Sequence, residues 1–355
     1  MKIKTTLLFG FWSFFNFGFN QILNAQDPQF SQFYAAPLQL NPAMTGVFNG
    51  KFRAIANYKE QWNSILDTRP FRTIAASFDA RNRIGKGDFV GYGISLLEDE
   101  AGQSNYQRLA GDLSLSYMKQ LGSGRYRSFD QFLVAGAQVG VGQHSLDFQN
   151  LWFSSQFIID EERLDRTLSS GEVVNDNSGV YLNINAGLLW YAVIDENKSL
   201  YFGGALHHIN SPQVSFISDS SSTESLDTRW VAQFGGELPL NRELSILPAV
   251  VLMGQGPSFL SVFGANFRYT SHDWKEVAIR AGAWGHLSND VQSSISLPAI
   301  TITAILEMNR LNLGISYDIN TDKVAAPTNG RGGIELSLIY VHPASRKERV
   351  HCPKL

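Results

Sequence analysis

The chain has 355 residues, a formal charge of −3 and a pI near 6.2, so it lacks the basic footprint that nucleic-acid binding requires. Its single cysteine, Cys352, excludes an internal disulfide. An exported form must therefore be held by packing or by a bilayer rather than by covalent staples.

In chain order, residues 1–25 read as a secretory signal peptide, with Lys2 and Lys4 before an apolar stretch from Leu7 to Phe19 and cleavage expected after Ala25. Ser13 and Asn16 interrupt that stretch, which argues against a retained transmembrane helix. Nothing after it reaches the run of about 18 apolar residues that a spanning helix needs.

Residues 26–50 form an irregular segment whose core is Asp27-Pro-Gln-Phe-Ser-Gln-Phe-Tyr-Ala-Ala-Pro-Leu-Gln-Leu-Asn-Pro-Ala-Met-Thr-Gly46. Pro28, Pro37 and Pro42 remove backbone donors and fix φ, which excludes a central strand or a long helix. Phe30, Phe33, Tyr34 and Leu38 make it too apolar for a free linker. It is either a short segment packed on the main domain or a plug or docking element. Phe30, Gln32, Phe33, Tyr34, Asn41 and Pro42 are its candidate partner-binding or plug residues.

From residue 51 onward, period-2 alternation dominates. Leu311, Leu313, Ile315, Tyr317 and Ile319 share one face, opposite Asn312, Gly314, Ser316, Asp318 and Asn320. Residues 109–117 and 181–192 repeat the scheme. There are about fourteen such windows, most long enough to cross a bilayer at a tilt. Alternate connections are short and polar, such as Asn241 to Glu243, Glu307-Met308 and Ile194 to Ser199, while the interleaved set holds the long stretches 144–178, 210–226 and 321–331. That asymmetry is the one outer-membrane barrels have. Aromatics at Tyr58, Trp62, Tyr126, Trp190, Tyr191, Tyr201, Tyr269, Trp274 and Tyr340 suit interfacial girdles.

The expected fold is all-β: a single transmembrane antiparallel β-barrel over residues 51–342, with about 14 strands. The irregular segment is expected in the lumen or at the periplasmic rim, and residues 343–355 form a periplasmic tail. Both termini are then periplasmic, with lipid around the wall. The competing architecture is an exported soluble β-sandwich.

Candidate chemistry is thin. His207 and His208 are adjacent in a strand and are expected to point to opposite faces, which disfavours joint metal ligation. The loop acids Asp160, Glu161, Glu162, Asp165, Glu172 and Asp176 lack a calcium-loop spacing. In the same loop Trp152, Phe153 and Phe157 form an apolar group, read either as partner-facing or as folded back into the lumen. No catalytic motif stands out and no cofactor is expected. Lumen-facing charge is expected to be sparse, with Asp79, Asp112, Arg268, Arg280, Asp318 and Glu335 as its candidates. Cys352 is a lone thiol in the tail, open to pairing with a partner or simply unpaired.

The stretch from Asp27 to Gly46 closely resembles the start of mature PorP/SprF-type membrane proteins of the Bacteroidetes type IX secretion system. Asn57-Tyr-Lys-Glu-Gln-Trp62, Gly91-Tyr-Gly-Ile-Ser-Leu-Leu-Glu-Asp-Glu-Ala-Gly102, His208-Ile-Asn-Ser-Pro212, Gly314-Ile-Ser-Tyr-Asp-Ile319 and Cys352-Pro-Lys-Leu355 continue the likeness in order. The resemblance implies a non-enzymatic outer-membrane barrel. It also implies partners among the secretion or gliding machinery and a secreted cell-surface protein of the adhesin type. The alternative function is a passive or substrate-specific porin.

Overall fold

The alternating sequence becomes long strands. The computed structural model describes residues 27–66, 69–85, 87–102, 104–121, 130–148, 151–171, 175–195, 197–216, 224–271, 277–289, 295–323, 325–345 and 352–353. The signal peptide expected at 1–25, and the girdle candidates Tyr126 and Trp274, lie outside the described residues. The first seven strands of the wall are β1 Phe52–Gln61, β2 Phe71–Ile84, β3 Asp88–Ala101, β4 Tyr106–Gln120, β5 Asp130–Ser145, β6 Tyr181–Asp195 and β7 Lys198–His207. The other seven are β8 Arg229–Pro239, β9 Leu244–Gln255, β10 Ser258–Tyr269, β11 Val277–Asn289, β12 Ile295–Met308, β13 Leu311–Asn320 and β14 Arg331–His342.

Each strand pairs antiparallel with its sequence neighbours, and β1 closes the ring on β14, with Phe52 opposite His342 and Gln61 opposite Gly333. The result is a closed 14-strand barrel without edges. No helix among the described residues is long and apolar enough to cross a membrane. The strands run from 10 to 16 residues, enough to cross a bilayer when tilted.

The burial pattern is inverted relative to a soluble fold. Leu113 and Leu115 are 66% and 59% exposed, whereas Ser114 and Ser116 on the other face are buried. Ile302, Ile315 and Leu336 are likewise exposed, against buried Thr301, Ser316 and Glu335. An apolar outer wall over a polar lumen is the pattern of a transmembrane barrel and excludes the sandwich.

We call the end where β1 begins and β14 finishes the near end. It carries the short connections, among them 85–87, 196–197, 240–243 and 309–310. The far end carries 146–180, 208–228 and 321–330. Several turns fall later or earlier than expected. Glu307 and Met308 belong to β12 and Asp195 to β6, because their backbones stay in the ladder, with Ile194 carried along at a register shift between Val193 and Asp195. The girdle assignment fails at Tyr191 and Tyr201. Both point inward, where Tyr191 stacks on Phe132 with ring centroids 5.1 Å apart.

Candidate functional site

The lumen is occupied by the chain's own residues 27–48. Three short turns shape this segment: Phe33–Ala35, Pro37–Leu40 and Pro42–Met44. Pro37 and Pro42 open their turns, where a fixed φ is favourable and no N–H is needed. Asn41 caps the last turn, its Oδ1 accepting the Ala43 N–H at 2.9 Å. Gly46, at φ 78°, reverses the backbone toward β1.

The wall receives this plug along its length. Glu335 on β14 accepts the N–H groups of Ser31 at 2.7 Å and of Gln32 at 3.0 Å. The Gln32 side chain donates to Ser316 Oγ and to the Glu335 carbonyl, each at 3.1 Å, and accepts from Ser337 Oγ at 2.7 Å. Lys59 on β1 donates to the Gln29 carbonyl at 2.8 Å and to Ser31 Oγ at 3.0 Å. Asn41 Nδ2 reaches the carbonyls of Leu188 and Gly204, at 3.2 and 3.3 Å. Toward the near end, Asp79 accepts the Gly46 N–H at 2.8 Å while holding Arg53 through two bonds of 2.9 and 2.8 Å.

Apolar contacts fill the intervals. Phe33 meets Trp284 edge-to-face with centroids 5.1 Å apart, and Leu38, Met44 and Val47 are fully buried. Burying each such side chain is worth about 1.5–3 kcal/mol. Several wall glycines make room for the plug, Gly91 against the Thr45 carbonyl and Gly314 against Gln32 Oε1 among them. A β-carbon on Gly136 would overlap the Pro42–Ala43 peptide, and one on Gly187 would overlap Asn41 Oδ1.

Asp27 is the far-end anchor. Its carboxylate meets Arg108, accepts from His208 Nε2 at 2.7 Å and lies 3.2 Å from Arg229. Its backbone N–H donates to Gln255 Oε1 at 2.9 Å. Burial alone would raise this carboxyl. Arg108 and Arg229, with the His208 hydrogen bond, outweigh that and hold it well below the usual carboxylate range. At the near end Cys352 is buried. Its N–H donates to Asn49 Oδ1 at 2.6 Å, Asn49 Nδ2 donates to its carbonyl at 3.2 Å, and Arg81 lies 3.0 Å from its Sγ. The lumen widens on either side of the plug, into cavities of about 490 Å³ at the far end and about 370 Å³ at the near end.

The sequence candidates fall in two places. Phe30, Gln32, Phe33, Tyr34, Asn41 and Pro42 are buried in the lumen. Trp152 and Phe157 are exposed on the 146–180 connection, with ring centroids 6.4 Å apart, and Phe153 beside them is half-buried. In that connection Arg163 pairs with Glu161 and Asp165, and Asp165 also accepts from Thr167.

Two expectations need correction. His208 sits at φ 56°, just past the end of β7, so the strand alternation breaks there and both imidazoles turn inward. His207 meets the Leu40 carbonyl at 3.3 Å, while His208 bridges Asn183 and Asp27. They have separate partners, and among the described residues no cluster of three or more His, Cys, Asp or Glu is arranged to hold a metal ion. Lumenal charge is also not sparse. Besides the six expected positions, Arg53, Lys59, Arg81, Arg108, Arg229 and Glu237 are buried on the inner wall. Strand parity carried that signal, since Arg108 shares a face with Asp112 and Arg229 with Gln233.

A family model described as type IX secretion system membrane protein PorP/SprF matches residues 22–340. The chain belongs to that family. The PorP/SprF match takes in the plug and nearly the whole barrel. No curated protein matches the chain. Among solved structures it is similar to a deletion mutant of the monoaromatic hydrocarbon channel TodX, with TM-score 0.46 and 11% identity over 86% of this chain and 92% of that one. It is also similar to CdiB from Escherichia coli, with TM-score 0.44 and 10% identity over 82% of this chain and 62% of that one. A Rhodopseudomonas blastica porin mutant gives TM-score 0.32 and 8% identity over 82% and 98%. The protein is thus a membrane β-barrel of a secretion-system family, an architecture that fits the outer membrane.

Proposed function

We propose that this PorP/SprF-family barrel is a non-enzymatic docking component of type IX secretion and gliding, which helps export or anchor a secreted cell-surface protein of the adhesin type. The observation that carries this reading is the plug. A lumen filled by residues 27–48, hydrogen-bonded to β1, β6, β7 and β14, is poorly suited to free diffusion of solutes and well suited to a rigid platform. That favours docking over the porin alternative. The buried ionisable side chains Asp27, His208 and Glu335 hold the plug in place, an employment that favours a structural over a catalytic role.

In this reading the export signal at 1–25 is removed and the end of β14 faces the periplasm, so the near end meets the secretion machinery, while Asp27 holds the start of the plug at the opposite end of the lumen. The far end faces outward and offers Trp152 and Phe157, with half-buried Phe153 beside them, to the cargo as an apolar group on a long connection would do. The plug residues Phe30, Gln32, Phe33, Tyr34, Asn41 and Pro42 keep the platform rigid. The test is affinity purification of the tagged barrel from native membranes, with identification of the proteins that come along. A secreted surface protein or secretion components should be recovered, and their recovery should fall when Trp152 and Phe157 are both changed to serine. A barrel that comes out alone and conducts ions steadily in planar bilayers is a porin instead.

A further inference from the structure

The near-end cavity gathers several guanidinium groups at an open mouth. About 370 Å³ in volume, it lies between the plug's exit at Val47–Asn49 and the β10–β13 wall. Arg268 and Arg280 converge on one carboxylate, Glu307, with Arg268 Nε 2.8 Å from Glu307 Oε2. Arg310, on the 309–310 turn, lies at the same mouth and is exposed. Arg53 contributes a fourth guanidinium, already held by Asp79 at 2.8 Å. Four guanidinium groups thus face one open cavity, against the carboxylates of Glu307 and Asp79. The rest of the lining mixes aliphatic side chains, Val47, Val277, Ile339 and Val341, with Asn49, Asn309 and Asn312.

Guanidinium groups at a partly desolvated site recognise carboxylates through forked, charge-assisted hydrogen bonds. Aliphatic walls around them suit the methylene stem that carries such a carboxylate on a polypeptide, and suit a fully hydrated inorganic ion poorly. We propose that the near-end cavity is a receptor for an acidic segment of a partner polypeptide, whose glutamate or aspartate side chain displaces Glu307 from Arg268 and joins Arg310. The complementarity is of charge first, so encounter should be fast and salt-sensitive. In identifying the partner with secretion machinery, the inference rests on the proposed function, but the binding event itself does not.

The experiment uses the full barrel purified in detergent and a fluorescent N-acetylated tetraglutamate peptide as probe, with a tetraglutamine peptide and inorganic phosphate as comparisons. Tetraglutamate should bind and tetraglutamine should not, and raising salt from about 0.05 to 0.5 M should weaken the complex strongly. Arg310→Glu, on an exposed turn where folding is not at stake, should weaken it by roughly tenfold or more. Glu307→Gln should tighten it several-fold, because the competing carboxylate is gone while Arg268 and Arg280 remain. No binding of tetraglutamate, equal binding of tetraglutamine, or weaker binding to Glu307→Gln would each overturn the proposal. Phosphate displacing the peptide at equal concentration would do so too, by marking a small-anion site. If the peptide binds as expected and no secretion protein co-purifies from membranes, the docking function fails while the acidic-segment receptor stands. The reverse pair of results removes the receptor alone.

Discussion

Glu335 holds Gln32 from two sides: its carboxylate accepts the Gln32 N–H at 3.0 Å, and its own carbonyl accepts Gln32 Nε2 at 3.1 Å. One residue of the wall thereby fixes both the backbone and the side chain of one residue of the plug. Replacing Glu335 by alanine leaves the Ser31 and Gln32 peptide N–H groups without their acceptor, at a cost of about 1–3 kcal/mol. The plug should loosen at this point, seen as fluctuating single-channel conductance in planar bilayers where the parent is quiet.

Asp27→Asn should be more severe than its change in size suggests. It leaves Arg108 and Arg229 buried without their carboxylate, and breaking a buried pair in this way costs about 3–5 kcal/mol. The expected outcome is faster proteolysis at the 27–46 segment with unchanged barrel content by circular dichroism. Unchanged proteolysis would mean that Asp27 is not the anchor.

The same carboxylate sets a pH dependence. Because the folded state holds Asp27 below its unfolded value of about 3.9, its contribution is fully present above that value and is lost as pH falls through the depressed folded value. The Asp27 share of plug seating should therefore be complete at neutral pH and be lost only in acid, below about pH 4. Asp27→Asn should abolish that acid limb of the conductance profile.

Gly187→Ala tests the fit from the wall side, since its β-carbon would enter the space of Asn41 Oδ1. Overpacking of this kind costs about 1–3 kcal/mol. In a chain lacking residues 27–46 the same substitution should cost nothing. A double-mutant cycle on the thermal unfolding of the barrel checks this, and equal costs in both backgrounds would show that the clash is not with the plug.

Leu113→Arg places a charge on the outer wall, where it costs about 2–4 kcal/mol near the bilayer midplane. Ser114→Ala, one residue along and facing inward, should cost far less. Urea titrations in liposomes measure both, and equal effects would contradict the assignment of faces.

The wall was readable in the sequence because a two-residue period states which side of a strand faces lipid. Leu113 and Ser114 declare opposite faces without any knowledge of their neighbours. The plug was readable as a segment that needed cover, from three prolines beside Phe30, Phe33 and Tyr34. What covers it was not. The partners of Asp27 stand at 108, 208, 229 and 255, on four strands or their ends, and only barrel closure brings them together. His208 escaped because one residue in the left-handed region undoes the alternation that assigns faces. The turns slipped by a residue or two because Glu307 and Met308 are as able to pair as to turn.

The plug touches both strands of the closing seam. Lys59 of β1 and Glu335 of β14 grip the same Ser31–Gln32 stretch, although 275 or more residues separate them along the chain. Joining the first strand to the last is the longest-range step of building the cylinder and the one with the largest loss of chain freedom. A segment tethered to β1 by only a few residues and hydrogen-bonded to β14 spans that seam from inside, so the closed cylinder and its contents hold each other in register.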